Sequence, residues 1–165
     1  MFRSVNSFEA EDHWLTNGGI DTIKSFGVAN YKELPAPYKS FFENMPIKVE
    51  IDNYIFVHAG INNIHFKDPF KQSVALWIRD WYDLLDREWL GDRYIIHGHT
   101  ACTEDEITKQ FELFETNRYL NIDAGCCYPK SYRRKNNPEV EITLNKLCLV
   151  DLTNRKLYFE NNCED

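Results

Sequence analysis

Two histidines separated by one glycine lie in the stretch YIIHGHT, which runs from Tyr94 to Thr100. The chain has only five histidines among its 165 residues, and His97 and His99 follow an apolar run that is typical of a buried strand. Imidazole binds zinc, iron and manganese. Side chains two residues apart on an extended strand share a face. The pair therefore allows one histidine to bind a metal ion and the other to support it.

Two further strand-like stretches end in a similar way. YIFVHAG places His58 shortly before a glycine, and YLNIDAG does the same with Asp123. In layered α/β proteins ligands gather beyond the carboxyl ends of strands, and a glycine there lets the backbone approach a ligand closely. The sequence therefore predicts that His58, His97, His99 and Asp123 converge on one cleft. Taken singly, each residue is also typical of a hydrogen-bonded side chain or a turn that binds nothing.

The composition indicates one domain and excludes several classes of partner. The chain is 43% hydrophobic, which is enough for a core, and its formal net charge of -7 argues against nucleic acid. No apolar segment is long enough for a signal peptide core or a membrane span. Five cysteines without regular spacing or a CxxC motif favour a reducing, cytoplasmic setting over a disulfide framework.

The elements expected around these residues form an α/β or α+β domain with a mixed sheet. Alternating apolar residues predict a hairpin over 47–60, and helical spacing predicts a helix, in one or two pieces, over 69–91. The aromatic segment 111–115 predicts a strand, and the charged segment 132–138 predicts a solvated loop. A last hairpin is predicted over 146–161.

Five blocks of the sequence, in order, resemble the carboxyl-terminal part of PPP-type serine/threonine phosphatases in the calcineurin-like metallophosphatase superfamily. The resemblance is to the bacterial and phage branch, which includes diadenosine tetraphosphatases. The blocks are WLTNGGIDTIKSFG, YIFVHAGI, LWIRD, IIHGHT and LNIDAGCCY. They span nearly the whole chain. The resemblance implies the C-terminal half of the metallophosphatase β-sandwich, incomplete and flanked by helices.

The resemblance also implies roles for individual residues. The family's active site holds two metal ions bridged by a hydroxide that attacks phosphorus in line. His58 and His99 are then metal ligands, and Arg79 binds the substrate phosphate, which a bidentate guanidinium suits. His97 and Asp123 support the ligands. The implied metal ions are manganese, iron or zinc, and the implied substrate is a phosphorylated protein or a small phosphoester.

Three earlier motifs of the family, G-D-x-H-G, G-D-x-x-D-R-G and G-N-H-E, are not found in the sequence. The expectation is a single, N-terminally truncated domain over 1–165 in which the dinuclear site is only partly present. Such a piece should expose apolar surface and self-associate through its sheet. The alternatives are a non-catalytic pseudophosphatase or binding remnant, a dinucleoside polyphosphate hydrolase of the same family, and an unrelated mononuclear metal hydrolase.

Overall fold

The computed structural model describes residues 8–129, 131–134 and 137–163. The chain divides into two compact units, Met1–Pro46 and Ile47–Asp165. The second unit contains every residue proposed for the site. The expectation of a single, N-terminally truncated domain stays a prediction.

Short helices make up the described part of the first unit. They are α1 (Phe8–Trp14), α2 (Ile20–Phe26) and α3 (Ala36–Glu43), with a 3₁₀ turn at Tyr31–Glu33. The Asn-Gly-Gly sequence between α1 and α2 bends the chain, because Gly18 has a φ of 96° that residues with a Cβ rarely adopt. The buried residues of this unit form one cluster, composed of Trp14, Tyr31 and Leu34.

A four-stranded sheet is the centre of the second unit. Its strands, in spatial order, are β1 (Lys48–Ile51), β2 (Tyr54–Val57), β3 (Tyr94–His97) and β4 (Tyr119–Asn121). Strand β1 is antiparallel to β2, whereas β2, β3 and β4 are parallel. The sheet is therefore mixed and open. This confirms the predicted α/β class and is consistent with a partial metallophosphatase fold. Because β2, β3 and β4 run in the same direction, their carboxyl ends lie at one edge.

Both faces of the sheet are covered by apolar side chains. Neighbouring residues on a strand point to opposite faces, so Ile95 and Ile96 belong to different clusters. The first cluster consists of Ile55, Val57, Ile61, Ala75, Trp81, Leu85, Leu90 and Ile95. The second consists of Ile96, Ile107, Phe114, Leu120, Ala124 and Cys148. Burial on both faces fixes the register of the strands and hence the position of the residues that follow them.

The helix expected over 69–91 is wrong in its extent. The structure has helix α4 (Gln72–Ala75), a 3₁₀ turn at Tyr82–Leu84, and helix α5 (Arg87–Leu90). Asp80 has a φ of 51°, which no α-helix accommodates, and the side chain of Asp86 begins α5 by accepting from two backbone N–H groups. The break separates the segment that carries the predicted phosphate ligand from the helices on either side.

The strand expected over 111–115 is also wrong, because this segment belongs to two helices. They are α6 (Glu104–Glu112) and α7 (Phe114–Asn117). Thr103 and Glu106 form a capping box in which each side chain binds the backbone of the other, and this stabilises the start of α6. The aromatic residues of the segment therefore pack on the sheet at helical spacing.

Two hairpins complete the second unit. The segment 132–138 was expected as a loop, but its described residues belong to β5 (Ser131–Arg134) and β6 (Asn137–Thr143), and residues 135–136 lie outside the described part. The predicted last hairpin is confirmed as β7 (Lys146–Asp151) and β8 (Lys156–Asn161).

The outer face of the β7–β8 hairpin is apolar and exposed. Leu147, Leu149 and Tyr158 are each at least half exposed, whereas Cys148 on the inner face is buried. Self-association through this face stays a prediction. Among the described residues, no helix combines the length and the apolar character that crossing a membrane requires.

The Cys148 thiol is expected to react far more slowly than the exposed thiols of Cys127 and Cys163. Burial, and secondarily the charge of Glu104, raises the pKa of Cys148 to about 11, so at pH 8 its thiolate fraction is about 100-fold below that of an ordinary thiol. Timed alkylation with iodoacetamide and peptide mass spectrometry measure the rates. Equal labelling of all three cysteines in the folded chain would contradict the packing of β7 against the sheet.

Candidate functional site

His58 and His99 meet at the carboxyl edge of the sheet. His58 directly follows β2, and His99 lies two residues beyond the end of β3. His58 Nε2 is 3.1 Å from His99 Nδ1, and the ring centroids are 4.9 Å apart. The backbone N–H of Gly98 donates to the carbonyl oxygen of His58 at 2.9 Å, which holds the two strand ends together. The structure thus brings the two predicted metal ligands into contact.

The geometry of this pair fits one face of a metal centre. Two nitrogen ligands at about 2.0–2.1 Å from one metal ion lie roughly 2.9–3.4 Å apart, and the observed separation of 3.1 Å falls within that range. Among the described residues, His99 Nε2 is the buried side-chain atom that lacks a hydrogen-bond partner. Burial is the main cause that lowers the pKa of His58 and of His99, and this favours the neutral form that binds metal.

The remaining ligands of a metal centre are not provided by the described part of the chain. Within residues 8–129, 131–134 and 137–163, no group of three or more His, Cys, Asp or Glu side chains is arranged to hold a metal ion. Among the described residues, the two imidazoles are the predicted ligands that lie in contact, and the expectation of a partly present dinuclear site stays a prediction.

Arg79 is held beside this pair by the turn that follows β3. Its Nη1 donates to Thr100 Oγ1 at 2.9 Å and to the carbonyl oxygen of His99 at 3.3 Å. In the region that the structure describes, its Nε and Nη2 make no hydrogen bond, so three N–H groups remain for an anion. The guanidinium also lowers the pKa of both neighbouring imidazoles. A positive group with spare donors next to neutral imidazoles suits a phosphate.

His97 lies behind the pair, in the apolar interior. It is 4% exposed, and its Nε2 is 3.1 Å from the hydroxyl of Tyr82. Its ring packs edge-on against Trp81 at a centroid distance of 5.1 Å. These contacts agree with the supporting role expected from the sequence, and that role stays a prediction.

Asp123 follows β4 and completes the edge. Its Oδ1 accepts from the backbone N–H of Gly125 at 2.9 Å, and its charge opposes the lowering of the pKa of both His58 and His99. A Cβ at Gly98 would lie 3.2 Å from the Asp123 Cβ, so the glycine of HGH permits this close approach. The four residues predicted to converge line one cavity of about 390 Å³, together with Phe56, Val57, Ile96, Gly98 and Ile122.

Asn121 is a polar residue of the site that sequence patterns did not single out. It is 1% exposed, its Nδ2 donates to the carbonyl oxygen of Thr100 at 2.7 Å, and its Oδ1 accepts from the backbone N–H of Asp123 at 2.9 Å. It therefore connects the turn that holds Arg79 to the end of β4. The only signal in the sequence was a polar residue inside an otherwise apolar strand.

The buried imidazole of His97 is expected to make the fold sensitive to acid. Burial lowers the pKa of His97 from 6.5 to about 4, so the folded state favours the neutral ring. Stability that is present above pH 6.5 is then lost as the pH falls towards 4, because the unfolded chain takes up a proton first. Tyr82, His58 and His99 are the titratable groups around the ring.

Denaturant unfolding at pH 7 and pH 4.5 measures this effect. Between pH 7 and pH 4.5, the free energy of unfolding of the wild-type chain should fall by about 2 kcal/mol more than that of a His97→Gln variant. A His65→Gln variant is the control, because His65 is exposed and lies apart from the pair. An identical pH dependence in wild type and His97→Gln would mean that another group controls acid sensitivity.

A comparison with curated proteins found a relative in Geobacillus sp. (strain WCH70). It is 24% identical over an alignment 148 positions long, and the match covers 77% of this chain and 56% of the relative. The relative is a bis(5'-nucleosyl)-tetraphosphatase, named PrpE and described as asymmetrical. The chain therefore spans about half the length of the relative that it matches, and the similarity supports the metallophosphatase superfamily indicated by the five blocks. No family model matches the chain, and no solved structure matches it.

Proposed function

We propose that this chain carries part of the active site of a metal-dependent phosphoester hydrolase. The observation that carries the proposal is the 3.1 Å approach of His58 Nε2 to His99 Nδ1 beside the guanidinium of Arg79. A neutral imidazole pair, a cation with spare N–H groups and a strand-end carboxylate at one edge of a parallel sheet form the constellation that phosphoester hydrolysis uses.

The residues of this chain have distinct roles in the proposed reaction. His58 and His99 hold a divalent ion, for which manganese, iron and zinc suit imidazole ligands. When bound, such an ion polarises a phosphoryl oxygen and lowers the pKa of water. Arg79 binds the phosphate through its remaining N–H groups. Its Nη1 donates to Thr100 and to the carbonyl oxygen of His99, and these bonds hold the guanidinium, and with it the phosphate, beside the two histidines. His97 and Asp123 keep the ligand-bearing strand ends in place.

A dinuclear centre needs ligands beyond those in the described residues. In the proposed complete enzyme, carboxylates and further imidazoles from another segment or another chain fill the remaining positions. The pseudophosphatase alternative differs at this point, because it retains phosphate binding by Arg79 without turnover.

Two substrate classes follow from the proposal. The name of the Geobacillus relative favours a dinucleoside polyphosphate. The order of the five blocks, which resembles serine/threonine phosphatases, favours a phosphorylated protein. Both substrates present a tetrahedral phosphate to Arg79, and they differ in the group attached to it.

Metal binding tests the ligand pair separately from catalysis. Titration of the metal-free 165-residue chain with Co²⁺, followed by its visible absorption, should show a site that His58→Ala and His99→Ala each weaken at least tenfold. A His65→Ala variant is the matched control, because His65 is an exposed histidine outside the pair. Unchanged Co²⁺ affinity in both ligand variants would refute the assignment.

Hydrolysis tests the reaction. Release of p-nitrophenol from p-nitrophenyl phosphate, and cleavage of diadenosine tetraphosphate and of a phosphoserine peptide, are measured with and without Mn²⁺. Turnover that needs Mn²⁺ and is lost in His99→Ala and Arg79→Ala establishes a working site in this chain. Metal and phosphate binding without turnover would instead establish the binding remnant.

A further inference from the structure

A second cavity lies beside Arg79. It has a volume of about 670 Å³, within the range of small-molecule sites in proteins. Its walls come from the turn after Arg79, the turn after β3, helix α6 and residues beyond β4. The lining residues that matter here are Tyr82, Gln110, Tyr128, Asp80 and Glu106. The cavity that holds His58 and His99 is separate, and His97 lines both.

We propose that this cavity binds the nucleoside part of a nucleoside phosphate whose phosphate is bound by Arg79. The inference rests on the proposed function in one respect, which is the phosphate-binding role of Arg79. It adds a base-and-sugar site made of residues to which neither the resemblance nor the ligand pair assigns a role, although Asp80 and Tyr128 lie at the ends of the blocks LWIRD and LNIDAGCCY.

The charged side chains of the cavity favour the phosphate at Arg79 and an uncharged group inside the cavity. Among the described residues that line the cavity, Arg79 is the only Lys or Arg side chain, whereas Asp80 and Glu106 both contribute carboxylates. A second phosphate inside the cavity would be repelled by these two side chains. The phosphate therefore remains at Arg79, and an uncharged group enters the cavity.

The lining favours a planar aromatic group. Tyr82 is rigid, since its ring stacks on Tyr119 with centroids 3.9 Å apart and an interplanar angle of 3°, and its hydroxyl is 3.1 Å from His97 Nε2. Tyr128 supplies a second ring to the lining. Aromatic side chains stack on nucleobases without needing a particular base.

Gln110 provides a polar group of known orientation. Its Oε1 accepts from the backbone N–H of Asn121 at 3.1 Å, which directs the amide nitrogen away from that contact. An amide nitrogen has two N–H groups, so Gln110 presents a donor at the cavity wall. Rings for stacking and one oriented donor are what a nucleobase and its sugar require.

Equilibrium binding in EDTA tests the inference without the metal site. Isothermal titration compares AMP, ribose 5-phosphate, inorganic phosphate and a phosphoserine peptide on the full chain. We expect AMP to bind at least tenfold more tightly than inorganic phosphate or ribose 5-phosphate. Equal affinities for these three ligands, or tighter binding of the peptide than of AMP, would overturn the nucleoside site.

Two substitutions locate the binding. Gln110→Glu keeps an acceptor for the Asn121 backbone but replaces the donor with a negative charge, and Ala101→Phe fills part of the cavity. Each should weaken AMP at least tenfold and leave inorganic phosphate unchanged, whereas Arg79→Ala should weaken both. Gln72→Glu is the control, since it adds the same charge at an exposed position of α4. Thermal melting verifies that each variant is folded.

The outcomes separate this inference from the proposed function. AMP binding that depends on Gln110 and Ala101, in a chain that neither binds Co²⁺ nor hydrolyses phosphoesters, would support the cavity and refute the hydrolase. Phosphate binding and Mn²⁺-dependent turnover, with AMP affinity unchanged in both cavity variants, would support the hydrolase and refute the cavity.

Discussion

Replacing Gly60 with alanine is expected to destabilise the second unit more than any other single methyl addition in the described chain. A Cβ at this position would lie 2.1 Å from Trp81 Nε1 and 2.4 Å from its Cδ1. Trp81 is 1% exposed, and its Nε1 donates to the carbonyl oxygen of Ala59 at 3.0 Å. The indole is packed on every side, so it has no free rotamer to adopt. The clash must therefore displace either the tryptophan or the strand end that carries His58.

The size of the effect follows from two losses. Overpacking a filled core costs about 1–3 kcal/mol, and breaking the hydrogen bond from Trp81 adds about 1 kcal/mol. A unit of this size then loses on the order of 10 °C in melting temperature. Because Gly60 lies two residues after His58, the variant should also weaken Co²⁺ binding even where it remains folded.

Differential scanning calorimetry measures the loss, and Gly91→Ala is the control. Gly91 has a φ of 59° and a ψ of -128°, which residues with a Cβ rarely adopt, but a Cβ there would meet no atom within 4 Å apart from its chain neighbours and its own helix, so that variant has backbone strain without a clash. It should lose about 1–3 kcal/mol of unfolding free energy, and less than Gly60→Ala. If Gly60→Ala and Gly91→Ala have the same melting temperature, the contact with Trp81 does not control stability.

The sheet and the meeting of the histidines could be predicted because both follow from local patterns. Alternation of β-branched and polar residues indicates strands, and the strands that precede His58 and His99 are buried on both faces. Parallel neighbours place their carboxyl ends together, so polar residues at those ends converge without knowledge of any long-range contact. The final hairpin follows from the same alternation.

The break at Arg79 could not be predicted, because a tertiary contact overrides the helical spacing. The apolar residues from 70 to 89 repeat as in a helix, but the bond from Trp81 to Ala59 belongs to a partner 22 residues earlier in the chain. The segment 111–115 is a different case. Its aromatic residues favour a strand, whereas Thr103 and Glu106 form a capping box that the sequence does contain. The start of α6 is therefore predictable from the sequence, because the capping box outweighs the strand propensity of the aromatic residues.

Replacing Asn121 with leucine is expected to disconnect the Arg79 turn from the sheet. Leucine has a similar shape but removes the partner of the Asp123 N–H and leaves the carbonyl oxygen of Thr100 with the weak bond from the Cys102 thiol at 3.5 Å. Each buried group left unpaired costs about 1–3 kcal/mol, so the variant should lose roughly 2–4 kcal/mol of unfolding free energy. The loss should extend to function, since Thr100 Oγ1 accepts the hydrogen bond that positions Arg79.

Asn121→Asp separates the two contacts. The carboxylate still accepts from the N–H of Asp123, but it cannot donate to Thr100. Its stability should fall at least as far as that of Asn121→Leu, because the buried carboxylate loses its hydration and faces the carbonyl oxygen of Thr100. Asn53→Leu is the control, because Asn53 is exposed and makes one hydrogen bond of 3.5 Å, so its substitution should change stability by less than about 0.5 kcal/mol.

Denaturant unfolding and phosphate titration together distinguish a positioning role from a purely structural one. If Asn121 positions Arg79, then both Asn121 variants should weaken inorganic phosphate binding at temperatures where they are fully folded, although neither changes a residue that contacts the anion. If Asn121 only stabilises the sheet, the folded variants should bind phosphate as wild type does. The hydrogen bond lost in both variants, from Nδ2 to Thr100, lies on the connection to Arg79, so we expect the first result.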